Sequence, residues 1–356
     1  MAPRWVSDDQ AKTTPPGSSK PQTLTERNER SDCKAVRGSR PLRYRPGVAR
    51  RTTRKLDAGL LLLLTPVLWG ATFPGTKIAL RHLPVIPFMA WSRILGLAAI
   101  LVLLPILRRA TPEPRRRVRE VLIPGAILGA LMFLGYFLQT EGLARTTATN
   151  AGFITGLYVV LTPILGLVAF AHRAPRSAWA AVLISFAGLT LLSVRDLGSI
   201  RFHAGDLLVA AGAVAWAGHI TAVGYYSPRF PPWMLSLAQM AASSLFHLIA
   251  AAPGGLRLGT AVSLRVWPLL ILTGVLGSGV AFTIQILAQR TLTPVRAVIL
   301  LAGESLFSAA FAAVWIDERL ALHQWGGAAL VLLAMVFSEL SARRPAEELI
   351  EPAAVP

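Results

Sequence analysis

Apolar residues in this chain come in long blocks, separated by short polar clusters that hold nearly all of the charge. A bilayer core about 30 Å thick, crossed at 1.5 Å rise per residue, needs blocks of about 20 residues. On that pattern we place ten spans, at 58–80, 85–107, 119–140, 147–171, 177–195, 205–226, 232–252, 266–289, 295–316 and 322–341. A soluble protein would need amphipathic partners to cover such helices, and the chain has almost none. The expected fold is an all-α integral membrane protein.

A repeat is written into these blocks. The stretch Gln139–Trp179 returns 146 residues later as Gln285–Trp325, with an apolar run, a charged break and a Trp in the same layout and no gap. Gln139 falls on Gln285, Thr147 on Thr293, Ala151 on Ala297 and Arg173 on Arg319. Trp69-Gly70-Ala71 answers Trp216-Ala217-Gly218 at a shift of 147. Ten spans at this offset make five per repeat, and an odd number forces the second copy into the membrane the opposite way up. The domains expected are thus a five-helix repeat at 57–196 and its inverted copy at 204–341, related by a pseudo-two-fold axis in the membrane plane.

Composition agrees with a membrane protein: 53% of residues are hydrophobic, 15% are charged, and the mean hydropathy is +0.53. The net charge of +18 would suggest a nucleic-acid partner in a soluble protein. Its distribution argues against one. Residues 1–56 carry 14 Lys/Arg against 5 Asp/Glu and too few apolar residues for a core. They are expected to form a disordered, basic cytoplasmic tail, or else to precede the native start. With the N-terminus inside, inner segments hold 20 Lys/Arg and outer ones seven. That bias places both termini, including the tail at 342–356, in the cytoplasm and the protein in the plasma membrane. The single cysteine, Cys33, allows no internal disulfide.

The text LTPVLWGATFPGTKIAL (64–80) resembles the first helix of EamA-type transporters of the drug/metabolite transporter superfamily. FMAWSRILGLAAILVLLPIL (88–107) resembles the second helix, and LTP (161–163) and the GES and DER segments (303–319) resemble the closing parts of the two halves. The resemblance covers about residues 58–341 and implies a ten-helix carrier that moves small metabolites through a central cavity by alternating access. One departure is that Ala-His-Arg (171–173) stands where the second copy has Asp-Glu-Arg (317–319).

Candidate pathway residues are the polar and aromatic groups inside the spans. A charge at mid-helix costs at least about 2.5–3.5 kcal/mol unless it faces a cavity or snorkels. Lys77, near the outer end of the first span, either lines the pathway or reaches the interface. Arg93 lies nine residues into the second and either lines the pathway or makes a structural ion pair. Both match basic positions of the family pattern. Glu304, flanked by Gly303 and Ser305, is the one acid well inside its span. It couples protons or bonds a neighbouring helix, and it stands where the first repeat has Tyr158. Gln139 and Gln285 can bond substrate or pack helices. Trp69 and Trp216 are mid-span candidates for a cavity wall, and His219 shares a face with Trp216. Trp179 and Trp325 sit where interfacial anchors are expected. Gly125 and Gly129 form a GxxxG pair expected to pack closely.

The function expected is a secondary transporter of small organic metabolites such as amino acids or amines, with export implied by the resemblance. The chain has no GxxxxGK[ST] sequence for nucleotide-driven transport. It has no HExxH, and Asp57, Asp196, Asp206 and Asp317 all fall at span ends, so an enzyme is not expected. No metal or cofactor is expected. The partners expected are a small-molecule substrate, the bilayer and protons. The competing readings are a membrane-embedded enzyme and a non-transporting scaffold or sensor.

Overall fold

In lipid every backbone N–H and C=O must be satisfied within the protein, so the spanning segments can only be helices or strands of a closed barrel. The computed structural model describes residues 55–111, 117–171, 174–193, 204–256, 263–317 and 321–341. Every regular element among them is helical. The expectations for residues 1–54, Arg173, Arg319 and 342–356 lie outside the described residues.

The first half comprises α1 (Lys55–Leu62), α2 (Leu64–Ala79), α3 (Val85–Ala110), α4 (Val118–Ala144), α5 (Ala148–Thr155), α6 (Tyr158–Phe170) and α7 (Arg176–Ser193). The second comprises α8 (Ala204–Tyr226), α9 (Pro232–Ala251), α10 (Ser263–Leu270), a π-helical segment (Ile271–Val280), α11 (Ala281–Gln289), α12 (Pro294–Leu301), α13 (Gly303–Trp315) and α14 (Leu322–Ser341). Taken with their continuations, nine helices among the described residues are long and apolar enough to cross a bilayer. The expected span at 177–195 is also helical, but its apolar part, Arg176–Leu192, is shorter than the rest.

The breaks have local causes. The first span is interrupted at Leu63, one turn before Pro66, whose missing N–H cannot reach the Leu62 carbonyl. The fourth and ninth expected spans break at matching places. α5 is capped by Gly156 and α12 by Ala302, 146 residues on, and tighter three-residue hydrogen bonds carry the chain into α6 and α13. Their starts match too. Thr147 accepts the Asn150 N–H at 3.0 Å and Thr293 accepts the Arg296 N–H at 3.4 Å, each satisfying an orphan donor of the first turn.

The outer faces of the helices are apolar, and polar side chains share the interior with an apolar core. Ser92, Arg93, His219, Gln239 and Gln285 are buried, whereas Val102, Ile123, Val168 and Val314 are more than 70% exposed on outer faces. Apolar outer faces are what a lipid solvent selects. Helix association then depends on close packing, which small residues permit. Gly125 and Gly129 of α4 sit against Ala238 and Ala242 of α9, where added Cβ atoms would come within 2.5 Å of both alanine methyls. Gly188 of α7 and Gly327 of α14 bring backbones together, each lying within 2.8 Å of the other's carbonyl oxygen if given a Cβ.

The packing partners set where a site can form. α4 packs on α8 and α9, while the π segment and its flanking helices pack on α2 and α3. α7 pairs with α14, α13 with α2, and α5 and α6 with α8. Each half therefore completes its interior with helices of the other.

Candidate functional site

The interior meets at four aromatic rings, Trp69 from α2, Tyr136 from α4, Trp216 from α8 and Phe282 from α11. Trp69 and Phe282 have ring centroids 4.8 Å apart, and Tyr136 stands edge-on to Trp216 at the same separation. Trp69 and Trp216 are 6.5 Å apart, Tyr136 and Phe282 6.0 Å. Contacts at these distances are worth about 0.5–1.5 kcal/mol beyond area burial. Gly135 makes room for the cluster, since a Cβ there would lie 2.7 Å from the Trp216 indole. Both indole N–H groups are engaged: Trp69 donates to the Gly277 carbonyl at 2.8 Å, and Trp216 to the Gln139 side-chain oxygen. These bonds fix the rings and leave their faces to line a cavity of about 370 Å³, which also includes Tyr158 and Glu304.

The lining carries the repeat. Tyr136 and Phe282 are separated by 146 residues, Trp69 and Trp216 by 147, and Tyr158 and Glu304 by 146. Each of these pairs meets within the one cavity. Tyr158 begins α6, and Glu304 falls in the first turn of α13. The Tyr158 hydroxyl lies beside the Glu304 carboxyl in electrostatic contact, yet neither it nor Oε1 closes a hydrogen bond of ordinary geometry. Glu304 is 3% exposed, and no cation among the described residues pairs with it. A carboxyl held this way needs a proton, a cationic ligand group or water as its partner.

A second cavity of about 400 Å³ adjoins the first, sharing Thr72, Phe73, Tyr136 and Gln139 as common wall. Arg93 lines it. The guanidinium carbon sits 3.7 Å from the centre of the Tyr136 ring, on the face of the π system where a cation is attracted. Nε and Nη1 have no hydrogen-bond partner, and no carboxylate among the described residues reaches Arg93. The ion pair considered for this residue is therefore absent among the described residues.

The remaining candidates lie elsewhere. The Lys77 ammonium donates to the Leu143 and Thr146 carbonyls at 2.7 and 2.6 Å, closing the C-terminal end of α4, where carbonyls lack helical partners. Gln285 is fully buried, donates to Gln289 at 2.9 Å and lines neither cavity, so the two glutamines of the repeat are not brought together. His219 bonds Gln239 at 3.1 Å and packs its ring on Phe282 behind the cavity wall. Trp179 is half-buried and Trp325 is 60% exposed. Tyr136 and Phe282 were not singled out from the sequence, although they precede Gln139 and Gln285 by three residues and obey the same offset.

Comparisons with known proteins converge on one family. The EamA-like transporter family matches residues 57–194 and again 203–339. A protein of Archaeoglobus fulgidus described as an uncharacterized transporter is 32% identical over 289 residues, covering 81% of this chain and 87% of its own. The uncharacterized transporter YvbV of Bacillus subtilis is 26% identical over 201 residues, covering 55% and 63%. A crystal structure aligns with TM-score 0.64 at 19% identity, over 81% of this chain and 98% of that one, which speaks to the fold alone.

Proposed function

Because this chain belongs to the EamA-like transporter family in both of its halves, we propose that it is a secondary transporter of small organic metabolites that exports them by alternating access. The observation that carries this reading is the aromatic cavity, lined by pairs of repeat-related residues and holding one buried carboxyl whose Oε1 has no hydrogen-bond partner. A carrier must offer one site to two sides in turn, and a site on a pseudo-two-fold axis does so when the halves exchange conformations. The exchange of packing partners supports ten spans in two inverted repeats: α4 rests on the first two spans of the second half, and its counterpart on the first two spans of the first.

The cavity chemistry favours amphipathic cargo. Ring faces take an apolar body or an organic cation, and Glu304 either accepts an ammonium group or holds the coupling proton. Competition between substrate and proton for one carboxyl would couple their movements, since each can leave only when the other replaces it. With both termini cytoplasmic, the orientation that the loop charges favour, everted vesicles expose the loading side. We expect a panel of amino acids, amines and sugars to show uptake of amines or amino acids that a pH gradient accelerates. Glu304→Gln should insert normally, exchange substrate at equilibrium and lose the gradient response. Uptake flat across the panel would reject transport of these classes, and gradient-driven uptake unchanged in Glu304→Gln would reject the coupling role.

A further inference from the structure

We infer that the second cavity is an anion subsite, in which Arg93 takes the carboxylate of a substrate whose apolar or aromatic body lies in the neighbouring aromatic cavity. This rests on the transporter reading and narrows its substrate class.

Arg93 is 2% exposed and reaches a cavity with two of its three nitrogens unpartnered. A guanidinium carries five donors in a fixed fork and stays charged, so leaving part of that fork bare inside a membrane protein is costly unless a ligand completes it. Protein groups do not complete it. Ser92 spends its hydroxyl on the Phe88 carbonyl at 2.7 Å and on Thr273 at 3.1 Å, and no acid among the described residues pairs with Arg93. Tyr136 lies under the guanidinium with its ring, and Nε and Nη1 are left without a hydrogen-bond partner.

The partner implied is an anion such as a carboxylate, whose oxygens accept strong hydrogen bonds from a charged N–H donor. The same Tyr136 and Gln139 wall both cavities, so an anion on Arg93 has its remaining body directed toward the aromatic rings. The counterpart of Arg93 in the other half lines neither of the two cavities. Gln239, 146 residues after Arg93, is turned onto His219 at 3.1 Å and is fully buried. The anion subsite is thus a property of one half, as Glu304 is of the other.

The test is binding to the purified full-length protein in detergent, read by Trp fluorescence and thermal stabilisation. Three probes share one ring and differ in charge: 3-phenylpropanoate, L-phenylalanine and phenethylamine. The wild type should bind the acid, and Arg93→Gln should bind it about 10-fold or more weakly while keeping its response to the amine. Arg93→Lys keeps a charge but loses the fork and should fall between them. If Arg93→Gln does not accumulate, the lysine variant carries the test, and acid affinity equal to wild type would overturn the subsite. So would a wild type blind to every carboxylate, or Arg93→Gln binding the acid as wild type does. Failure of the transporter reading looks different, as acid binding that depends on Arg93 without uptake into liposomes.

Discussion

Charged side chains inside a membrane protein divide by what their polar atoms find. Lys77 finds two carbonyls at a helix end, Arg93 finds a ring face and an open cavity, and Glu304 finds a phenol that does not close a bond. The first is an internal bond and the other two face cavities. Lys77→Met should therefore lower stability by about 2 kcal/mol, the worth of hydrogen bonds to a charged donor, with substrate binding retained. Thermal unfolding beside ligand titration checks this, and lost binding at unchanged stability would move Lys77 into the pathway. Tyr136 separates the cavities and holds both the Arg93 guanidinium and the Trp216 edge. Tyr136→Ala should weaken binding of aromatic amines and acids alike, by about 10-fold for contacts of this kind, measured by the same titrations.

At the scale of elements, close backbone approach does the work that hydrophobic association does in water. α7 and α14 meet at Gly188 and Gly327, where an added methyl at 327 would stand 2.5 Å from the Leu192 nitrogen. Backbone cannot swing aside as a side chain can, so Gly327→Ala should cost about 1–3 kcal/mol through overpacking. Gly166→Ala in α6, where a Cβ meets nothing within 4 Å, should cost nothing. Comparing the melting temperatures of the two variants in one detergent decides the matter, and equal values would mean that the α7–α14 crossing yields. The discontinuities at Gly156 and Ala302 belong to this scale as well. They place Tyr158 and Glu304 at the heads of half-helices, which is where the halves differ chemically.

For the whole molecule the loop charges imply a fixed sidedness. Arg117 precedes α4 and Arg145 follows it, and both are exposed, so the two ends of one helix should face opposite compartments. In a Cys33→Ser background, Arg117→Cys should react with a membrane-impermeant maleimide only in everted vesicles, and Arg145→Cys only in intact cells. Labelling of both from one side would refute the orientation and the span count together. The two repeat-related halves also differ in their interiors. Arg93 lines a cavity, whereas Gln239, its counterpart by the offset of 146, is bonded to His219.

Much of this architecture follows from sequence because the bilayer acts as a one-dimensional constraint. Block length and hydropathy are local quantities, and they suffice for the long apolar helices, while the family was legible in short stretches such as LTPVLWGATFPGTKIAL. They also marked Trp69, Trp216, Arg93 and Glu304, because a large or charged residue inside an apolar block is conspicuous. What the sequence does not encode is the rotation of each helix about its axis. In water an amphipathic stripe reports it, but helices apolar on every side carry no such stripe. Tertiary structure alone separated Gln139 from Gln285, sent Lys77 to the end of α4 and brought Tyr136 and Phe282 to the centre. It also decided that Tyr158 and Glu304, equivalent in the repeat, share one cavity, since that depends on how two halves cross in space.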